Sequence, residues 1–304
     1  MTNNTVLVTG AGGLLGQYVV KELRNRYSVR GLDLLPSHEP IEHTIGSVED
    51  MAAVEAACVG CDAVVHVAAR PNIWSGSGSE IIQTNTVGTW NVLDAAERAG
   101  IKRVILTSSD SVIGFTVMQG AMIAPDYLPI DTAHDLRPTD PYALSKLLCE
   151  RMGQSFVQRG NIEVLAIRPV YVLYPEFECE VLARAADPDN YVGPAAGGRQ
   201  PAGGGVMWQY IDPRDLARAF RLALKAEFRG FEAFLICAES SLAPTPTISR
   251  INAYTGNTIP VSQPEVYARN PYAPIYDLAH ARDRLGFVAE HDTRQRLGLD
   301  IENS

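Results

Sequence analysis

The stretch Thr9-Gly10-Ala11-Gly12-Gly13-Leu14-Leu15-Gly16 decides the fold class of this 304-residue chain. It follows the β-branched run Thr5–Thr9 and opens an amphipathic stretch, so its glycines stand between a strand and a helix. Glycines at Gly10, Gly13 and Gly16 permit a tight turn, close packing of helix on strand, and close approach of the backbone to a phosphate. The sequence therefore predicts a phosphate-binding turn after the first strand of an α/β sheet.

Short β-branched runs alternate with longer amphipathic stretches over the first two thirds of the chain. This alternation is typical of a doubly wound parallel sheet with helices on both faces. The predicted strands are Thr5–Thr9, Ser28–Asp33, Ile41–Ile45, Ala63–Val67, Arg103–Thr107 and Glu163–Arg168. The predicted helices run to about Arg26 after the glycine turn, then over about Ile81–Ala99 and Tyr142–Gln158. We therefore expect an α/β fold.

The chain becomes rich in Pro, Gly and Ala after Pro175, and residues 193–205 read GPAAGGRQPAGGG. Such a segment holds no regular structure without tertiary support, so it is interpreted as a mobile loop or a plain linker. A helix over residues 215–225 is expected to return to the main body, and the tail from about Ala243 to Leu299 to complete a small lobe. The predicted division is residues 1–170 for the large domain and residues 171–304 mainly for a C-terminal substrate-binding lobe.

Composition narrows the function classes. The net charge of -9 and the lack of a basic patch disfavour nucleic-acid binding. No run of about 18 apolar residues and no signal-like N-terminus is found, so no membrane association is expected and the chain is predicted to be cytoplasmic. The five scattered cysteines, including Cys58 and Cys61, indicate reduced, packed thiols, and the histidines show no metal-ligating spacing.

Asp33 ends the second predicted strand, 20 residues after Gly13. A carboxylate at this position accepts hydrogen bonds from both ribose hydroxyls of an adenosine. It would repel a 2'-phosphate, and the following Leu34 and Leu35 offer no arginine to neutralise one. The predicted cofactor is therefore NAD, with NADP as the less favoured alternative.

Tyr142 and Lys146 lie four residues apart, on one face of a predicted helix. A free tyrosine has a pKa near 10, and lowering it by three units requires about 4 kcal/mol of differential stabilisation. A buried lysine ammonium and a cationic nicotinamide together supply stabilisation of this kind. Downstream of a dinucleotide loop, the pair predicts an acid-base catalyst for an oxidoreductase.

The third predicted catalytic residue is Ser109, at the end of the fifth strand. The carboxyl end of a parallel strand lies beside the cofactor crevice, where a serine hydroxyl can orient a substrate oxygen against Tyr142. Ser108 and Ser111 are alternatives, and each also suits a simple turn.

Together these motifs resemble the extended short-chain dehydrogenase/reductase family, in its branch of NAD-dependent sugar epimerases and dehydratases. The motifs that carry the resemblance are TGAGGLLG, Asp33, DAVVHVAA, Asn85-Thr86-Val87-Gly88-Thr89, SSDSVIG, Tyr142 with Lys146, Ile167-Arg168-Pro169, and Ala281-Arg282 to Leu285-Gly286. The resemblance implies a Rossmann-like NAD domain, a small C-terminal substrate-binding lobe and a homodimer formed by helices of the large domain. The cofactor contacts expected on this basis are Gly10, Gly13, Leu14, Leu15, Gly16, Asp33, Ala68, Ala69, Asn85, Thr107, Tyr142, Lys146 and Pro169.

Departures from the family pattern bear on the reaction. Dehydratases of this branch carry an adjacent Asp-Glu pair where this chain has Asp110-Ser111, which argues against a dehydratase. Nucleotide-sugar epimerases commonly hold the diphosphate with an arginine at the position of Val206, so Arg199 or Arg269 would have to replace it. Trp208 is the further candidate for substrate contact. The favoured prediction is a nucleotide-sugar 4-epimerase-like enzyme.

Other functions remain open at this point. The run SSDSVIGF is similar to the corresponding run of uronate dehydrogenases, so the main alternative is an NAD-dependent dehydrogenase of a free sugar or sugar acid. An apolar pocket around Trp74, Trp208 and Tyr210 would instead suit a reductase of aromatic or steroid ketones. A non-catalytic NAD sensor is disfavoured, because such relatives typically lack the tyrosine at position 142.

Overall fold

The computed structural model of the protein describes residues 4–114, 123–188 and 208–299. Its strands are β1 Thr5–Thr9, β2 Ser28–Asp33, β3 Glu42–Ile45, β4 Ala63–His66, β5 Arg103–Thr107, β6 Glu163–Pro169, β7 Tyr171–Val172, β8 Tyr210–Ile211 and β9 Phe231–Ile236. Its helices are α1 Leu14–Leu23, α2 Met51–Cys58, α3 Gly78–Arg98, α4 Pro141–Gln158, α5 Glu178–Ala186, α6 Pro213–Lys225, α7 Thr247–Thr255, α8 Pro264–Arg269, α9 Ala279–Leu285 and α10 Thr293–Arg296.

Seven of these strands form one parallel sheet in the order β3-β2-β1-β4-β5-β6-β9. The chain order reverses at β1, since Thr9 of β1 is in register with Leu32 of β2 on one side and His66 of β4 on the other. In an open parallel sheet, ligands bind in the crevice beyond the carboxyl ends of the strands at such a reversal. The predicted α/β, Rossmann-like fold is confirmed.

Side chains of the sheet alternate between two apolar layers. Val6 and Val8 of β1 belong to the cluster shared with α1 and α6, whereas Leu7 belongs to the cluster shared with α2 and α3. A strand buried on both faces reads as a continuous apolar run, which is why central strands such as β1 were recognisable in the sequence. The layers hold the carboxyl edge of the sheet in a fixed place.

The sequence analysis did not predict strand β9. This strand pairs with β6 over six positions, from Val164 with Phe231 to Pro169 with Ile236. The chain therefore returns to the sheet after α6, and residues 213–236 extend the sheet layer although they lie beyond residue 170. Helix α2 was also not predicted; it ends at Cys58, which is buried, as is Cys61.

The C-terminal part of the described chain contains β7, β8 and the short helices α7 to α10. A separate apolar cluster joins Leu173, Val181, Trp208, Tyr210 and Leu242. Within the described ranges no group of His, Cys, Asp and Glu side chains is arranged to bind a metal ion. None of the described helices has the length and apolar character that crossing a membrane requires.

Candidate active site

Glycines of the loop after β1 are required by packing, as Gly10 and Gly16 show. A Cβ at Gly10, where φ is +72°, would lie 2.6 Å from the backbone nitrogen of Ala68, and one at Gly16 would lie 1.8 Å from the carbonyl oxygen of Gly10. Both contacts are with backbone, which cannot move aside. The two glycines thus bring α1 against β1 and the loop against the end of β4.

Gly13 has a different role. A Cβ there would meet only the Gly10 carbonyl oxygen, at 3.4 Å, and would otherwise point into open space. Gly13 is also the N-cap of α1, and no side chain caps this helix. The first N–H groups of α1 are therefore available for an anion at the positive end of the helix dipole. This surface fits the pyrophosphate of a dinucleotide.

Asp33 lies beside this loop, at the carboxyl end of β2. Its Oδ2 accepts from the backbone N–H of Gly12 at 2.9 Å, and its Oδ1 accepts from that of Leu35 at 3.3 Å. These bonds fix the carboxylate at the sheet edge while leaving acceptor capacity for ribose hydroxyls. The neighbouring Leu34 and Leu35 are exposed. The residues present fit the adenosine half of NAD.

Ser109 and Tyr142 meet at the carboxyl end of β5. Ser109 caps the short 3-10 helix Asp110–Ile113: its Oγ accepts from the N–H of Ser111 at 3.1 Å and donates to Oδ1 of Asp110 at 3.2 Å. Burial raises the pKa of the Tyr142 phenol, and a hydrogen bond with Ser109 opposes that rise. The two hydroxyls that the sequence paired thus lie close enough for the serine to affect the pKa of the tyrosine.

Lys146 lies one helical turn after Tyr142 in α4. Its Nζ is 5.7 Å from the centroid of the Tyr142 ring and donates to the carbonyl oxygen of Thr107 at 2.8 Å. Burial lowers the pKa of Lys146. The carbonyl anchors the ammonium between the end of β5 and the tyrosine, where its charge favours a phenolate.

Ser108 faces away from Tyr142. Its hydroxyl donates to Oε1 of Glu150 at 2.5 Å, and Glu150 forms a bidentate ion pair with Arg168, with both contacts at 2.8 Å. Glu150 and Arg168 are 1% and 4% exposed, so the pair is part of the interior. Ser108 therefore has a structural partner, and Ser109 is the serine at the site. The hydroxyl of Ser111 is buried and has no hydrogen-bond partner among the described residues.

The end of β4 is held by a buried polar network. His66 bonds Thr9 through Nδ1 at 2.7 Å and Thr89 through Nε2 at 3.1 Å. Burial, with a smaller contribution from the nearby Lys146 charge, lowers the pKa of His66 to about 3, so the ring is neutral at physiological pH. Asn85 donates to Ser145 at 2.8 Å and accepts from the Arg70 N–H at 2.7 Å. These bonds fix Ala68 and Ala69 opposite the glycine loop.

The predicted substrate residues lie farther from this cluster. Trp208 is buried, with the guanidinium carbon of Arg184 4.6 Å from its ring, and Tyr210 is buried in the same apolar cluster. Arg269 is exposed at the end of α8 and donates to the carbonyl oxygen of Glu265 in that helix. Arg199, Val206 and the loop at 193–205 lie outside the described residues.

The structure adds residues that the sequence analysis did not select. Asp110 is half-buried, and its Oδ2 accepts from the hydroxyl of Tyr276 at 2.8 Å. Burial raises the pKa of Asp110 to about 6. The adjacency of Asp110 to Ser109 was visible in the sequence, but Tyr276 lies 166 residues away and carried no signal.

A model of the NAD dependent epimerase/dehydratase family matches residues 6–237, which include every strand of the large sheet. The chain belongs to this family. The predicted resemblance is confirmed, and so is the predicted cofactor, because the family is NAD dependent and similar solved structures contain NAD. The protein is an NAD-dependent enzyme of the extended short-chain dehydrogenase/reductase type.

Curated relatives in the epimerase/dehydratase family include dehydrogenases of small sugars. L-arabinose 1-dehydrogenase (NAD(P)(+)) of Haloferax volcanii is 28% identical over 73% of this chain and 82% of its own length. Uronate dehydrogenase of Pseudomonas putida is 31% identical over 54% of this chain and 60% of its own length.

Solved structures extend the likeness over nearly the whole chain. The structure of MoeE5 in complex with UDP-glucuronic acid and NAD has a TM-score of 0.69 at 25% identity and covers 98% of each chain. UDP-glucose 4-epimerase from Brucella ovis in complex with NAD has a TM-score of 0.70 at 23% identity, covering 97% of this chain and 96% of the other. At 23% identity, the likeness to the Brucella ovis structure shows a shared fold.

Proposed function

We propose that the protein catalyses the NAD-dependent oxidation of a carbinol in a free sugar or sugar acid. The observation that carries this proposal is that Lys146 is anchored to the Thr107 carbonyl beside the Tyr142 ring, with Ser109 close to the phenol, at the carboxyl edge of the sheet. This edge also contains the open Gly13 surface and Asp33. A proton acceptor and a dinucleotide surface thus lie along one crevice.

In this proposal the chain's own residues manage the proton and the orientation of the substrate. NAD+, when bound, accepts a hydride from the carbinol carbon. Tyr142 takes the proton of the substrate hydroxyl, and Ser109 orients the substrate oxygen. Lys146 lowers the cost of the phenolate, because its ammonium is fixed by the Thr107 carbonyl within reach of the tyrosine.

The arginines of the C-terminal lobe favour a substrate without a nucleotide. A nucleotide diphosphate requires cationic groups that are available to bind it. Three of the less exposed arginines in the described lobe already bind internal acceptors. They are Arg184 with Glu180, Arg250 with the Pro188 carbonyl, and Arg294 with the carbonyls of Ser241, Ala243 and Leu299. This use of the guanidiniums supports a small sugar, as do the names of the curated dehydrogenase relatives.

The second candidate is the nucleotide-sugar 4-epimerase-like activity predicted from the sequence. It is favoured by the match to 98% of MoeE5, whose structure contains UDP-glucuronic acid. In this case Arg199 or Arg269 would hold the diphosphate. An epimerase retains the reduced cofactor and isomerises its substrate, whereas a dehydrogenase releases the reduced cofactor.

The two candidates are separated by one assay. The purified protein is incubated with NAD+ and, in turn, with uronates, aldoses and UDP-sugars, while the absorbance of reduced nicotinamide is recorded. Accumulation of NADH with a free sugar supports the dehydrogenase. Isomerisation of a UDP-sugar without accumulation of NADH supports the epimerase and contradicts the dehydrogenase.

We also propose that the protein forms a homodimer through α3 and α4. These helices carry four large apolar side chains that are 39 to 43% exposed in the isolated chain: Val87, Trp90, Leu144 and Leu148. The helices pack on each other directly, since Thr89 of α3 bonds Cys149 of α4. A two-fold interface would bury this apolar face against its own copy. Light scattering of wild type and Leu148→Arg tests it: a dimer that becomes a monomer supports the proposal, and a wild-type monomer contradicts it.

A further inference from the structure

Asp110 is a carboxylate in the interior beside the candidate active site. Its side chain accepts from three kinds of donor: the Tyr276 hydroxyl at 2.8 Å, the Ser109 hydroxyl at 3.2 Å, and backbone N–H groups of its own 3-10 helix. A buried carboxylate is costly unless such donors surround it. The fold therefore maintains this group at some cost, next to the serine that faces Tyr142.

Tyr276 comes from the C-terminal part of the chain and is held rigidly. It is 2% exposed, and its backbone forms a bridge with Ile130. The preceding residue, Ile275, accepts from the N–H of Ile130 at 2.7 Å and donates to Oε1 of Gln209 at 3.3 Å. The Tyr276 hydroxyl thus reaches Asp110 from a segment that is fixed by two other parts of the chain.

The hydroxyl of Ser109 has one proton and several partners. The Ser111 N–H donates to its oxygen, so one lone pair is used, and Asp110 and Tyr142 compete for the remaining positions. In this structure the proton points at Asp110, so the second lone pair of Ser109 is left for another donor. The Asp110 carboxylate thereby decides which way the serine hydroxyl is turned.

We propose that Asp110, held by Tyr276, is a positioning residue that orients the Ser109 hydroxyl against Tyr142 and the substrate oxygen. The inference rests on the proposed function in so far as Ser109 and Tyr142 are its catalytic residues. It links the C-terminal segment around Tyr276 to the chemistry at the end of β5. Asp110 touches neither substrate nor cofactor in this account, and it acts through Ser109.

The surroundings of Asp110 define what its charge does. Tyr142 approaches from α4, Cys237 from the residue after β9, and Tyr276 from the C-terminal segment. The negative charge of Asp110 adds to the burial that raises the pKa of Tyr142. Removing that charge therefore lowers the pKa of Tyr142. Loosening of the fold would also lower it by exposing the phenol, so thermal unfolding of each variant is measured beside the titration.

The experiment compares Asp110→Asn and Tyr276→Phe with two matched controls. Tyr267→Phe removes another buried hydroxyl of the same lobe, which donates to the Pro274 carbonyl. Tyr127→Phe removes a second tyrosine–aspartate hydrogen bond, with Asp131, away from the site. For each protein, kcat and KM are measured across pH. The phenol of Tyr142 is also titrated without substrate. Its tyrosinate absorbance is the difference between each protein and the same protein carrying the additional substitution Tyr142→Phe.

Asp110→Asn is expected to lower kcat about tenfold with little change in KM, because Ser109 loses its orientation. It is also expected to move the Tyr142 titration about one pH unit lower, since one nearby charge is gone. Tyr276→Phe removes a donor that holds Asp110, so it should lower kcat by less than Asp110→Asn does. It should leave the Tyr142 titration unchanged, because Asp110 is still ionised at the high pH where the phenol titrates. The two controls should match wild type in both.

An unshifted Tyr142 titration in Asp110→Asn would overturn the proposal, and so would equal losses of kcat in Tyr276→Phe and Tyr267→Phe. If Asp110→Asn does not fold, the loss of kcat in Tyr276→Phe against its two controls decides. The titration needs no substrate. A shifted titration in a protein that turns over no sugar would therefore refute the proposed function and leave the positioning role standing.

Discussion

The carboxyl edge of the sheet and the C-terminal lobe use their polar groups in opposite ways. At the edge, the uncapped start of α1 at Gly13 and the Asp33 carboxylate face outward with bonding capacity left over. In the lobe, the Arg294 guanidinium donates to three backbone carbonyls and also stacks on the ring of Tyr272. The polar groups at the edge are therefore available to bind a ligand, whereas those of the described lobe mainly stabilise the lobe's own fold.

The largest expected effect separates the two regions by activity. Tyr142→Phe at the edge should lower turnover about a thousandfold, the scale of losing a positioned acid-base group. Tyr254→Phe, at an exposed position in α7 of the lobe, should leave turnover unchanged. NADH formation by equal amounts of folded protein measures both. Similar rates for Tyr142→Phe and wild type would contradict the catalytic role given to the sheet edge.

The next effect concerns stability and compares two ion pairs. Arg168→Met leaves Glu150 charged and unpaired in the interior and should lower the free energy of unfolding by about 3 to 5 kcal/mol. Arg296→Met breaks the more exposed pair with Glu178 in the lobe and should cost at most about 1 kcal/mol. Urea unfolding monitored by circular dichroism gives both values. Equal losses would contradict the structural role given to the Glu150 pair.

The parts of the fold that could be predicted are those marked by short, local sequence patterns. Strands β1, β4, β5 and β6 were predicted because both faces of each are largely buried, which leaves short apolar runs between helical stretches. The edge strand β3 has no buried residue, and its signal was weak. Strand β9 was missed, because its partner β6 lies more than 60 residues earlier and a Gly-rich segment stands between them. Pairing at that distance depends on the whole sheet.

The same contrast applies to the candidate site. Gly10, Gly13 and Gly16 are contiguous in sequence, and Tyr142 with Lys146 has helical spacing, so local patterns found them. The choice among the serines needed the contact of Ser108 with Glu150. The partnership of Asp110 with Tyr276 could not be predicted, because it joins residues 166 positions apart that fit no local motif.

A third prediction concerns pH and stability at the point where the two regions meet. Burial raises the pKa of Asp110 to about 6 from a usual value of 3.8, so its contribution to stability is fully present below pH 3.8 and is lost as pH rises through 6. The loss amounts to about 3 kcal/mol at pH 8. Asp110→Asn should therefore unfold at a higher temperature than wild type at pH 8, with a smaller difference at pH 5. A pH-independent difference would contradict this assignment.

The smallest expected effect sharpens the account of the edge itself. Gly13→Ala should fold like wild type, because the added Cβ meets little, yet it should weaken NAD binding about tenfold by filling the space of the pyrophosphate. Gly16→Ala should instead unfold at a lower temperature, since its Cβ collides with the Gly10 carbonyl. Calorimetric titration with NAD and thermal unfolding measure the two changes. Unchanged NAD affinity in Gly13→Ala would contradict the assignment of the pyrophosphate to this surface.

The central claim is that the Ser109, Tyr142 and Lys146 cluster oxidises a carbinol of a free sugar or sugar acid with NAD+. The measurement that tests it most directly is the yield of NADH when the purified protein is mixed with NAD+ and each of a panel of uronates and aldoses, beside Tyr142→Phe. The account predicts that at least one free sugar gives stoichiometric NADH with wild type and almost none with the variant. NADH from no free sugar, together with isomerisation of a UDP-sugar, would contradict it.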